Sequence, residues 1–179
     1  MRREYIRMVV VLMIISLFSG AVLAQTYKVT IPKINENALR KQEAAIIKVI
    51  PGAKSFKEVS KDGVTAFEGL DENGNKVGMA FIAKSGGFGG IITMMVGVDM
   101  EEKKLTGMTV LSHLETPGLG ARIQEDWFQE QFKGKSFDDG FVVKEDVDAI
   151  TGATISSTAV AKGVKDSLEK FLQVFGGEY

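Results

Sequence analysis

The run Met8–Ala24, MVVVLMIISLFSGAVLA, holds 17 residues without a charge, and it restricts what the chain can be more than any other feature. Two readings fit it. The basic start MRREYIR and the small-residue ending AVLA before Gln25 suit a secretory signal. Extended by Tyr5–Arg7 and Gln25–Tyr27, the run also reaches the length of a membrane-spanning helix, about 20 residues. A membrane anchor over residues 1–27, contacting the bilayer through 5–27, is the expectation, with a single domain over 28–179. Arginines at one flank and none at the other predict a single pass with the N-terminus in the cytoplasm and the domain outside it.

The first 24 residues carry a net +2 and the whole chain −1, so the remainder carries −3. A mildly acidic domain gives no reason to expect nucleic acid as a partner. Apolar content of 45% with 25% charged residues suits a folded domain. With no cysteine, the chain has no disulfide, no thiolate metal ligand and no cysteine-held iron–sulfur cluster. Its single histidine, His113, excludes a multi-histidine metal site, and no metal is expected.

After a linker at Gln25–Ile34 containing Pro32, Asn35 or Asn37 is placed to cap a helix running to about Ile50. That helix would carry Leu39, Ile46, Ile47 and Ile50 on one face and stop at Pro51–Gly52. The pattern then shifts to strands near Phe56–Val59, Thr65–Leu70, Lys76–Lys84, Ile91–Asp99 and Leu105–Leu111. Asp71–Asn75 supplies one turn between them, and Met100–Lys104 another. A helix is expected over Ala121–Phe132, a strand within Phe137–Lys144, and a closing helix from Thr154 to about Phe175. Val160, Val164, Leu168 and Phe171 set the spacing of that last helix. Strands grouped between helices predict an α+β fold with a central, mainly antiparallel sheet flanked by helices.

Four segments bear on chemistry. Ser85–Gly90, SGGFGG, can bring backbone amides close to a ligand, but it lacks the lysine and hydroxyl of a phosphate-binding loop and equally suits a hairpin. His113 could pair with Glu115 or Ser112, yet neither the strained serine turn nor the orienting third group of a hydrolase is evident. Thr116–Gly120, TPGLG, is a pre-ordered loop able to lie flat against a planar group, or a plain connection. Asp148–Thr158, DAITGATISST, places five hydroxyls within eight positions. Thr151 or Thr154 can cap the closing helix, and the same free amides favour a phosphate. Asp148 would repel that anion unless it faces outward, meets a metal ion or is read by another protein.

DAITGAT resembles the flavinylation motif of FMN-binding domain proteins: an aspartate, two spacers, then Ser/Thr-Gly-Ala-Thr. SHLETPGLGARI, followed by W-F-x-x-Q-F-K-G-K, is similar to a hallmark of the G subunit of the Rnf electron-transport complex, shared by the C subunit of the sodium-pumping NADH:quinone reductase. The short anchor and the glycine-rich loop agree, and the resemblance covers nearly the whole chain. It implies FMN joined covalently through its phosphate to Thr154, making the chain a phosphoprotein, with a flavin transferase as the maturation partner and Asp148 as its recognition residue. It further implies that Thr151, Gly152 and Ala153 contact the cofactor, as do Ser112, His113, Leu114, Glu115, Thr116, Pro117, Gly118, Leu119 and Gly120, with Gly87 and Gly89. The chain would then be no independent catalyst but an electron-carrier subunit, partnered by the other membrane subunits of an Rnf-type ferredoxin:NAD oxidoreductase. That complex sits in the bacterial cytoplasmic membrane and moves Na+ or H+. The alternative is an extracytoplasmic module holding FMN or another phosphorylated ligand non-covalently.

Overall fold

The computed structural model describes residues 2–178. The chain divides after Arg40 into two compact units, the first helical and the second holding the sheet. Helix α1 spans Arg2–Val49, with an apolar stretch long enough to cross a membrane and its side chains in that stretch exposed. The linker expected at Gln25–Ile34 is helical instead, with Pro32 inside α1. A lone proline withdraws one backbone donor, and the helical ladder continues on either side of it with no glycine adjoining. Thr26 spends its hydroxyl on the helix itself, donating to the Val22 carbonyl at 2.9 Å.

Pro51 disfavours helical geometry at Ile50, and α1 stops at Val49. Of the four residues expected on its buried face, Ile46 and Ile50 are covered, together with Ala45 and Val49, while Leu39 and Ile47 are exposed. The sheet that receives this end of α1 is an antiparallel meander in the order β1 (Ser55–Lys61), β2 (Val64–Leu70), β3 (Lys76–Gly86), β4 (Ile91–Asp99), β5 (Lys104–Ser112). Its turns are built by local chemistry. The Asp71 carboxylate accepts from the amides of Asn73 and Asn75, both at 2.8 Å, and from the Asn75 side chain. Those bonds, the Asn75 amide first, hold its carboxyl below the usual carboxylate range.

Alternation along the strands sends side chains to two cores. Met79, Phe81 and Ala83 of β3, with Ile92, Met94 and Val96 of β4, face helix α3 (Thr154–Phe175). Ala80 and Met95 face the other way, onto Ala45, Ile46, Val49 and Ile50. Phe171 of α3 stacks on Phe81, their rings 4.9 Å apart. The architecture is therefore α+β, as expected.

Two further local expectations fail. Ala121–Phe132 is not one helix: a 3-10 turn over Gly120–Gln124 and the short helix α2 (Asp126–Glu130) are separated by Glu125 in extended geometry. The Glu125 carboxylate grips Arg122 at 3.1 Å and the Trp127 indole, which hold it below its usual range. The break lets Ile123, Phe128 and Phe132 all reach the core. Phe137–Lys144 holds a single bridge residue, Val143, paired with Val147, rather than a strand. Phe141 and Lys144 have φ of 54° and 76°, which no strand accommodates.

A close contact fixes the end of α1 at Gly97. Thr106 donates its hydroxyl to the Val49 carbonyl at the end of α1, and that carbonyl lies over Gly97. A Cβ on Gly97 would stand 2.2 Å from the Val49 oxygen, whereas one on Gly107 would have nothing nearer than 3.8 Å. Gly97→Ala is expected to cost about 1–3 kcal/mol or more, and Gly107→Ala far less. Thermal unfolding of the two variants in detergent checks the contrast.

Candidate functional site

Ile150, Thr151, Gly152 and Ala153 form a turn closed by the Ala153 amide donating to the Ile150 carbonyl at 2.9 Å. Gly152 takes the third position with φ 80°, which is why a glycine stands there. Ser157 locks this turn from the first coil of α3. Its hydroxyl donates to the Ala153 carbonyl at 3.1 Å and accepts the buried Ile150 amide at 3.0 Å. The expected capping by Thr151 or Thr154 is not what the fold uses. Ala153 is the N-cap, without a side-chain bond, and Thr154 is the first residue of α3. The Thr154 hydroxyl is thus exposed and makes no hydrogen bond among the described residues.

Two hollows meet at this threonine. One, of about 400 Å³, is lined by Phe88, Glu115, Thr116, Leu119 and Gly120 with residues 152–156. The other, of about 600 Å³, runs past Lys84, Thr158, Lys162 and Asp166. Glu115 forms part of the first hollow's wall and is buried at 5% exposure. Its Oε1 accepts from the Gly89 amide at 2.9 Å, and its Oε2 accepts from the Ser156 hydroxyl. One carboxylate therefore joins the β3–β4 hairpin, the loop after β5 and the start of α3. The space for it comes from missing side chains: a Cβ on Gly87 or Gly120 would come within 2.3 Å or 2.6 Å of its oxygens.

Among the residues expected to contact a ligand, Glu115, Thr116, Leu119, Gly120, Gly152, Ala153 and Thr154 do surround the 400 Å³ hollow. Gly87 and Gly89 sit against Glu115 and Leu114 and act through the room they leave. Ser112 ends β5, and Leu114, Pro117, Gly118 and Thr151 are exposed without being part of the hollow's lining. The His113 ring is turned to its own loop, where Nδ1 accepts the Glu115 amide at 3.1 Å, so it is not presented as a base to Ser112. Asp148 is exposed, its amide held by the Gln131 side chain at 2.6 Å. Sequence reasoning misses Phe88, Ile155 and Ser156. The register of Ser156 and Ser157, four and three residues before Val160, places both on the buried side of α3, and that spacing is the available signal.

Residues 87–169, which include both the Glu115 loop and the Thr154 turn, match the model of the FMN-binding domain. Over 177 residues the chain is 34% identical to the G subunit of the ion-translocating oxidoreductase complex of Methanosarcina acetivorans, covering 93% of this chain and 94% of that one. The chain belongs to the FMN-binding domain family. The G subunit of the proton-translocating ferredoxin:NAD(+) oxidoreductase complex of Clostridium ljungdahlii is 36% identical over 169 residues, covering 89% and 88% of the two chains. Among solved structures, the C subunit of the Na(+)-translocating NADH-quinone reductase from Parabacteroides distasonis shares the fold. Its TM-score is 0.61 at 20% identity, over 80% of this chain and 94% of that one.

This FMN-binding domain depends on the Ser157 lock. Ser157→Ala leaves the buried Ile150 amide without a partner, an expected cost of about 1–3 kcal/mol. Thermal unfolding measures the loss, and faster hydrogen exchange at the Ile150 amide locates it.

Proposed function

We propose that this chain is a membrane-anchored electron carrier with FMN joined to Thr154 through a phosphodiester. It works within an Rnf-type ferredoxin:NAD oxidoreductase complex that moves Na+ or H+. Residues 1–27 anchor it from a cytoplasmic N-terminus, and the domain over 28–179 stands on the extracytoplasmic side. The observation that carries the reading is the Thr154 hydroxyl, exposed and unbonded at the meeting of two hollows. The G-subunit relatives, similar over nearly their whole length, support membership of such a complex.

The residues present suit the cofactor. A hollow of about 400 Å³ lies within the size range of small-molecule sites, and Phe88, Leu119 and Ile155 give it apolar walls for a flat ring. The first amides of α3 have no intrahelical partner and favour a phosphate at its N-terminus. Bound FMN supplies reversible uptake of electrons, and an ester through its phosphate leaves the redox-active ring unaltered.

Attachment is a phosphoryl transfer. Thr154 Oγ1 bonds to the phosphorus of an activated flavin phosphoanhydride, the bond to its nucleotide leaving group breaks, and the hydroxyl proton passes to a base. No base among the described residues is in hydrogen-bond contact with that hydroxyl, and a threonine is a weak nucleophile near neutral pH. A separate flavin transferase therefore performs the step. Asp148, exposed six residues ahead of Thr154 with its backbone fixed by Gln131, offers that enzyme or its metal ion a carboxylate.

In cells making both this chain and a flavin transferase, wild type and Thr158→Ala should each give a fluorescent band on a denaturing gel. Thr154→Ala should give none. Intact mass should show FMN minus one water on the wild type. A ligand lost on denaturation would instead support non-covalent binding, and a retained band in Thr154→Ala would move the attachment elsewhere. Asp148→Ala is expected to slow labelling by about tenfold or more while leaving the unfolding temperature unchanged, as timed labelling with purified transferase would report.

A further inference from the structure

Glu115 takes no part in attachment, and its bonds make it a joint between three segments. As a joint, its charge is a liability. Burying a carboxylate is costly unless it is paired, and Glu115 forms no ion pair among the described residues. It has only two donors, the Gly89 amide and the Ser156 hydroxyl, one for each oxygen. A neutral amide of the same shape would make the same two connections, accepting from Gly89 and donating to Ser156 Oγ. The glycines at 87 and 120 keep open the space for these two oxygens. The carboxylate lines the same hollow as Thr154.

We propose that Glu115 tunes the flavin: its fixed negative charge in the wall of this hollow lowers the reduction potential of the FMN carried by Thr154. The inference rests on the reading of Thr154 as the flavin-bearing residue. Full reduction of a flavin takes up two electrons, with protons from solvent. A buried negative charge beside the ring opposes that gain of electron density, and a partly dry site weakens the field less than water does. Ser156 and Gly89 moderate the effect, because each donated hydrogen places partial positive charge against the carboxylate. Glu115 is thus a tuning residue, and Ser156 a positioning residue acting through it.

The two substitutions should act in opposite directions. Full-length, flavinylated protein in detergent is titrated at an electrode with mediators, which supply the electrons, after intact mass has confirmed one FMN per chain. Glu115→Gln keeps both connections and removes the charge. Its potential should rise, so that at a fixed applied potential the reduced-to-oxidised ratio is several-fold higher than in wild type. Ser156→Ala keeps the charge and removes one donor, so its potential should fall. A joint with no electrical role would leave the potential of Glu115→Gln at the wild-type value. That result, or a shift of both variants in the same direction, overturns the proposal while the covalent reading stands. A wild-type chain whose mass shows no attached FMN overturns the Thr154 reading first, and this one with it.

Discussion

The start of α3 depends on two adjacent serines turned inward, and the site depends on the start of α3. Ser157 faces back along the chain and closes the turn that presents Thr154. Ser156 faces across to Glu115 and so to the β3–β4 hairpin. Farther along, the same helix is fixed to the sheet by Phe171 on Phe81 and by Val160, Val164 and Leu168 in the core. A hydroxyl that is itself free of bonds is therefore held by a base whose serine hydroxyls are both engaged. Thr151 and Thr158 are exposed as well, and Thr154 differs from both in lining the two hollows at once.

The sheet answers to a different constraint, the need to accept packing on both faces. β4 is buried at Ile92, Met94, Met95, Val96 and Val98, so it alternates between two cores rather than between core and water. On one side that requires close approach of the end of α1, where the Val49 carbonyl accepts from Thr106 above Gly97. The last coil of α1 is thereby part of the globular fold, while its apolar stretch near the N-terminus is exposed along its length.

Much of this is legible in the sequence because local chemistry and packing agree there. The strands show through alternation and through turn residues such as Asp71–Asn75, whose side-chain bonds make the turn without outside help. The closing helix shows through its apolar spacing. The failures lie where distant contacts override local preference. Residues 121–132 read as one helix until Ile123, Phe128 and Phe132 must all point inward, which Glu125 permits by leaving helical geometry. Residues 137–144 contain strand-forming types, but Asp146 accepts the Phe141 and Val142 amides and bends the segment into a loop. Pro32 shows the reverse: one breaker removes a single ladder bond, and the helix continues on either side of it. At the site, the motifs mark the right loops but leave the roles within them open. The glycines of SGGFGG read as a hairpin or as a close approach to a ligand; they form the β3–β4 turn, and Gly87 and Gly89 make room for Glu115 and Leu114.

An open hollow and a covalent cofactor fit together for a physical reason. A site that holds its ligand by affinity alone must enclose it, because burial and matched polar groups are what offset the loss of free motion. Here Phe88 and Ile155 remain largely exposed at the hollow, at 70% and 60%. The proposed tether through Thr154 would remove that requirement, since residence would no longer depend on how much of the ring is covered. Exposure then becomes an advantage, because electrons pass between a carrier and its partners most readily when little protein lies between them. With the proposed tether in place, the buried side of the site would be left for adjustment rather than retention, and Glu115 is the acidic group on that side.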